Sequence, residues 1–168
     1  IQEYIDLRNH VSGMYPAISM CEFGRNDYLR WDQIKAAGLA IELDQMRELT
    51  AEIGALMNDV FSFEKECIVD EADFNLVAAC YLNNPGWSLE RAIRYAGDIV
   101  RDMITDFREL KDYVTGRCEA LQDTQPELAN TILTHIADLV GSVQATWVWQ
   151  NVTMRYKGDS IFAENRLD

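Results

Sequence analysis

Three prolines and nine glycines are all the strong helix breakers in 168 residues. A chain so short of them favours long, uninterrupted helices. No stretch alternates apolar and polar residues with a period of two, and no unit of 20–50 residues repeats, so neither a sheet nor a solenoid is expected. The fold class read from the pattern is all-α, in a single domain. A hydrophobic content of 48% beside 26% charged residues is that of a globular chain with a real core. The net charge of −13 excludes a phosphate-backbone binder, whose affinity rests on Lys and Arg. No apolar run approaches the length of a membrane span, no leader pattern is read, and Cys21, Cys67, Cys80 and Cys118 form no CxxC. We therefore expect a cytoplasmic protein with no disulfide framework, no membrane partner and no nucleic-acid partner.

The helices are read as follows. One runs from Ile1 to about Ser12 and is interrupted at Gly13-Met14-Tyr15-Pro16. A short apolar piece reaches about Phe23, and Gly24-Arg25-Asn26-Asp27 is a turn. Residues 27–38 are ambiguous. Leu39 to Glu66 is plainly helical, with Leu39, Leu43, Met46, Ile53, Met57 and Val60 on one face. A helix follows from about Ala72 to Leu82, ended by Asn83-Asn84-Pro85-Gly86. Ser88 is expected to cap a helix to about Leu121. Thr124-Gln125-Pro126-Glu127 has the form of a capping box, opening a helix to about Lys157 with Gly158 as its stop. The chain begins with Ile and already reads as helix interior over Ile1–Leu7, so we expect N-terminal truncation.

Two constellations carry chemistry. Asn58, Ser62 and Glu66 stand at i, i+4 and i+8 and drift only about 80° around a helix, so their oxygens point one way. An amide carbonyl, a hydroxyl and a carboxylate are hard ligands of the kind Mg²⁺ takes, with water and phosphate completing its shell. Lys65, nearly in line with Asn58, points to an anionic group such as a phosphate. Ala51, Gly54 and Ala55 precede this patch on the same face and Phe61 borders it, as the wall of an apolar cavity would. Near the C-terminus Trp149 and Tyr156 are seven residues apart, on one helical line, with Arg155 beside them. Arg offers a fork for phosphate oxygens, Tyr a hydroxyl, and Trp a ring face for a cation.

Asn58-Asp59-x-x-Ser62-x-x-Lys65-Glu66 resembles the second metal-binding motif of class I terpene synthases of microbial type, and Trp149-x-x-x-x-x-Arg155-Tyr156 resembles their C-terminal Arg-Tyr signature. The resemblance implies an α-helical bundle around a deep apolar cavity, in which Mg²⁺ binds the diphosphate of a prenyl substrate and triggers its ionisation. Asn58, Ser62 and Glu66 would then hold metal, and Lys65, Arg155 and Tyr156 would contact diphosphate. Arg8, fifty residues before Asn58 and just ahead of a helix break, fits the family's diphosphate-sensing Arg, although Val11 and Ser12 replace the Asp and Gly that often follow it. Phe61, Ala55, Trp149 and Tyr15 would line the cavity, with Met14 and Met20 near the break. The family's upstream aspartate-rich motif has no counterpart. Asp70-Glu71-Ala72-Asp73 has the wrong spacing and reads as solvated acid. The chain thus looks like the C-terminal half of a synthase domain. In the complete protein the expected reaction is cyclisation of a prenyl diphosphate, most simply farnesyl diphosphate to a sesquiterpene. The chain alone is expected to be inactive without its N-terminal half, supplied upstream in the complete protein or by another chain.

The competing reading is a non-catalytic helical interaction module that binds a partner chain, or an inactive half-domain; a homodimer is also compatible with the sequence. A chain-elongating prenyl transferase would carry two aspartate-rich motifs, and a di-iron bundle needs Glu-x-x-His, which neither His10 nor His135 supplies.

Overall fold

The computed structural model describes residues 1–156. Among these there are seven α-helices and no strand: α1 (Gln2–Val11), α2 (Met14–Arg25), α3 (Trp31–Ala36), α4 (Ala40–Phe63), α5 (Leu76–Leu82), α6 (Leu89–Leu121) and α7 (Pro126–Val152). A π-helical segment, Glu64–Val69, continues α4, and a 3₁₀ turn, Met154–Tyr156, follows α7. None of the helices is long and apolar enough to cross a membrane.

α4 is the central rod and touches α1, α2, α5, α6 and α7. Its position explains its composition. Leu43, Met46, Ile53, Leu56 and Met57 are buried on several sides, where a surface helix would show one stripe. α6 has such a stripe: Ala92, Ala96, Val100, Phe107, Val114 and Cys118 recur at four- and seven-residue intervals and are buried. Leu128, Ile132, Ile136 and Leu139 of α7 close the same core. All four cysteines are free.

The boundaries show where local chemistry overrides pattern. Gly13 is left-handed, at φ 76°, and makes the break between α1 and α2. Pro16, expected to interrupt, instead sits in the first turn of α2, where a missing N–H is harmless. The ambiguous stretch contains α3, closed by Gly38 at φ 67°. There Gly38 N donates to Lys35 O (3.1 Å) and Leu39 N to Ile34 O (3.1 Å), the double bond of a Schellman turn.

Ser88 caps α6 as expected, accepting from Arg91 N at 3.2 Å. The Thr124 capping box does not form. Thr124 N and Gln125 N both donate to Leu121 O, which moves the N-cap to Gln125 and puts Pro126 at the first helical position. α5 starts at Leu76 and not near Ala72, because Ala72 N closes on Glu66 O (2.8 Å) and the Asn75 side chain caps Val77 N (2.9 Å). α7 ends at Val152, short of Lys157. Thr153 is extended and its hydroxyl accepts from Arg155 N, a local bond that competes with the helix. The expected stop at Gly158 lies outside the described residues.

Candidate functional site

Arg8 and Tyr4 lie one helical turn apart on α1 and reach α4 together. Arg8 Nε donates to Asp59 Oδ1 at 2.8 Å, and its Nη2 makes long bonds to Asn58 Oδ1 (3.3 Å) and Ala55 O (3.5 Å). The Tyr4 hydroxyl donates to Asp59 Oδ2. From α7's end, the Tyr156 hydroxyl accepts from Asn58 Nδ2 at 2.8 Å, and Gln150 Oε1 lies 3.5 Å from the same amide. Arg8, Asn58 and Tyr156 are therefore linked through one side chain, Asn58, which was the first residue of the sequence motif.

Ser62 is fully buried, and its Oγ has no hydrogen-bond partner. Such an orphan is costly in a native interior and asks for a reason. Glu66 lies beyond the junction where α4 becomes π-helical, so the simple 80°-drift argument, about two-ninths of a turn, does not strictly apply to it. Its carboxylate accepts from Asn75 Nδ2 at 3.2 Å, and its charge acts on Tyr4, Arg8 and Tyr156. Among the described residues no hydrogen bond joins Asn58, Ser62 and Glu66 to one another.

Electrostatics follow from burial. Desolvation pushes the Tyr4 and Tyr156 hydroxyls above the ordinary phenol range, so both stay protonated and able to donate. Burial would lower the Arg8 guanidinium, but Asp59, Tyr4 and Glu66 outweigh it and hold it up. Burial also pushes the Asp59 carboxyl up against the pull of Arg8, Tyr4 and Leu76 N.

A cleft of about 430 Å³ opens beside this cluster, walled by Arg8, Met14, Gly54, Ala55, Asn58 and Trp149 among others. Gly54 has a packing reason. A Cβ there would come within 2.5 Å of Met14 Cε, so the small residue lets α2 approach α4. Trp149 meets Tyr156 edge to face at 6.0 Å, although the two do not share a helix.

Other sequence candidates lie apart. Phe61 packs edge to face on Trp147 at 5.6 Å, and Tyr15 accepts from Asn9 at 3.3 Å; neither is among the residues walling the cleft. Met20 is exposed. Lys65 pairs with Asp70, which gives one member of the supposedly solvated acidic run a partner. Arg155 is exposed, with its guanidinium 5.6 Å from the Tyr156 ring. Pattern reading passed over Tyr4, Asn75 and Gln150 and gave Asp59 no role. Tyr4 had a signal, its i, i+4 spacing to Arg8; Asn75 and Gln150 had none, since long-range contacts bring them in.

Among the described residues no three His, Cys, Asp or Glu cluster to hold a metal. The all-α fold is the fold class that the motif resemblance implied. The family described as terpene synthase family 2, C-terminal metal binding, matches residues 1–106, and the chain belongs to it. Sesquiterpene synthases 1 and 2 of Postia placenta are each 24% identical to it over 161 residues. Those matches cover 94% of this chain and 43% of each relative, so the chain spans less than half the length of either. No solved structure gives a significant match.

Proposed function

We propose that, in the complete protein, this chain forms the second metal-binding and diphosphate-holding half of a class I terpene synthase that cyclises a prenyl diphosphate, with farnesyl diphosphate the simplest substrate. The observation that carries the reading is the convergence of Arg8, Asn58 and Tyr156 on one hydrogen-bonded cluster at the rim of an apolar cleft. The sesquiterpene synthase relatives support the choice of a farnesyl chain.

Asn58 Oδ1, Ser62 Oγ and the Glu66 carboxylate fit Mg²⁺ by donor type, and the unpartnered Ser62 oxygen is what a cation would satisfy. When bound, Mg²⁺ supplies charge that stabilises a departing diphosphate. The chain's own groups do the rest. Arg8 and Tyr156 present N–H and O–H donors towards phosphate oxygens, and Lys65 and Arg155 add positive charge at the exposed margin. Arg8's bond to Asn58 Oδ1 is long, so it can be exchanged for a phosphate oxygen at little cost. Met14, Gly54, Ala55 and Trp149 give the apolar wall that excludes water from a reactive cation, and the Trp149 ring offers it a π face.

Exposed Leu7 and Val11 on α1, and Val148, Trp149 and Val152 on α7, lie on the two elements that carry Arg8 and the Trp149 wall. We read them as covered by the remainder of the complete protein, without which the chain does not turn over substrate. The same residues favour the second reading, a non-catalytic module that binds a partner chain. The test is Mg²⁺-dependent conversion of farnesyl diphosphate by the complete protein, and by its Asn58→Ala and Glu66→Ala variants. Product from the parent, with each variant reduced by roughly two orders of magnitude or more and helix content intact, is the expected result. No product from the folded parent, or unchanged turnover in the variants, contradicts it.

A further inference from the structure

Asp59 follows Asn58 directly in sequence but points elsewhere, about 100° around α4. It is fully buried, and both carboxylate oxygens are taken. Oδ1 accepts from Arg8 Nε at 2.8 Å; Oδ2 accepts from the Tyr4 hydroxyl and from Leu76 N at 3.1 Å. Its backbone carbonyl accepts from Asn75 Nδ2 at 2.8 Å, and the same amide reaches Glu66 Oε2 at 3.2 Å. One residue therefore joins α1, α4 and the start of α5. It also sits one hydrogen bond from one proposed ligand group, Arg8, and two from another, Glu66, through Asn75.

The distances decide what fixes Arg8. Its bond to Asp59 is short and joins opposite charges. Its other two bonds, at 3.3 and 3.5 Å, go to neutral oxygens and are weak. Nε is thus held by Asp59, and Nη1 makes no protein hydrogen bond among the described residues. A guanidinium pinned along one edge keeps its remaining donors in a fixed plane, which suits a phosphate and costs little ordering when one binds.

We propose that Asp59 is the positioning residue of this site: it does not touch substrate, but fixes Arg8 through Nε so that the guanidinium presents its other edge to the diphosphate. This rests on the reading of Arg8 as a diphosphate-binding residue. Tyr4 completes the device, since its hydroxyl occupies the second carboxylate oxygen and its ring packs on Phe74 at 5.1 Å, holding α1 against the start of α5.

The test is calorimetric titration of the complete protein with inorganic diphosphate in the presence of Mg²⁺, using Asp59→Asn, Arg8→Lys and the double variant, each checked for a cooperative melt. Asp59→Asn is expected to weaken diphosphate tenfold or more, Arg8→Lys similarly, and the double variant no more than about twofold beyond Arg8→Lys alone. Equal losses from Asp59→Asn in both backgrounds would mean a structural role only and overturn the proposal. So would unchanged affinity in Asp59→Asn when Arg8→Lys is impaired. Unchanged affinity in Arg8→Lys overturns the underlying role of Arg8, and the positioning role with it. If Asp59→Asn does not fold, the parent protein decides. The Arg8 Nε–H resonance, assigned by its loss in Arg8→Lys, is expected to be protected from solvent exchange and to persist when Mg²⁺ and diphosphate are added. Free exchange, or loss of that protection on diphosphate binding, overturns the proposal.

Discussion

The Asn58 amide donates to the Tyr156 hydroxyl at 2.8 Å across 98 residues of chain. This bond joins the C-terminal part of α4 to the turn after α7, and so brings residues of the two sequence motifs together. Removing only the hydroxyl, in Tyr156→Phe, leaves Asn58 Nδ2 with the 3.5 Å contact to Gln150. We expect a loss of about 1 kcal/mol in stability, measured by denaturant unfolding, with the helical signal unchanged. An unaltered midpoint would show that the bond contributes nothing.

His135 lies buried on α7 with neither ring nitrogen hydrogen-bonded. It faces Glu22 and Arg25 of α2, Arg47 of α4 and Asp138 of its own helix. Desolvation, helped by Arg47, pulls its pKa from the ordinary 6.5 to about 4. Between those values the unfolded chain binds the proton and the folded one does not, so stability falls as pH drops from about 6.5 to about 4. The contribution lost is on the order of 3 kcal/mol. His135→Leu should flatten the stability profile over that window. A parallel profile in the variant would contradict the assignment.

Glu52 acts in the opposite direction. Burial, Glu48 and Asp6 push its carboxyl from 4.5 to about 7. The folded state keeps the proton through that window, so this group's contribution is full below about 4.5 and is lost as pH rises through 7. Glu52→Gln should therefore stabilise the protein at pH 8, by roughly 1 kcal/mol after solvent screening, and change little at pH 4. Equal effects at both pH values would remove the charge explanation.

The Gly54–Met14 contact can be read with a double-mutant cycle. An added Cβ gains helix propensity but meets the far end of a flexible side chain at 2.5 Å. Gly54→Ala should be neutral or slightly destabilising alone, and stabilising by about 1 kcal/mol in a Met14→Ala background. Additive effects would mean that the two residues do not press on each other.

Much of this fold is legible in the sequence because α6 is long and strictly periodic, and because Ser88 caps it as Ser caps do. Asn58 and Ser62 were legible as neighbours on one helix. What periodicity does not carry is what the chain brings in from elsewhere. The π segment after Phe63 reroutes Glu66, Asn75 arrives from the start of α5, and Thr153 ends α7 before the Arg-Tyr pair. At Thr153 a local hydrogen bond to Arg155 N competes with the helix, a contest that hydrophobic spacing does not record. Phe61 illustrates the converse: helical spacing put it beside the motif, and its ring found Trp147 instead of the cleft.

The most direct measurement is a native mass spectrum of the complete protein with inorganic diphosphate, recorded with and without Mg²⁺, for the parent and for Asn58→Ala. The account predicts a diphosphate adduct carrying Mg²⁺ in the parent, absent without the metal and absent in the variant. Diphosphate uptake that ignores Mg²⁺, or survives the loss of Asn58, would contradict it.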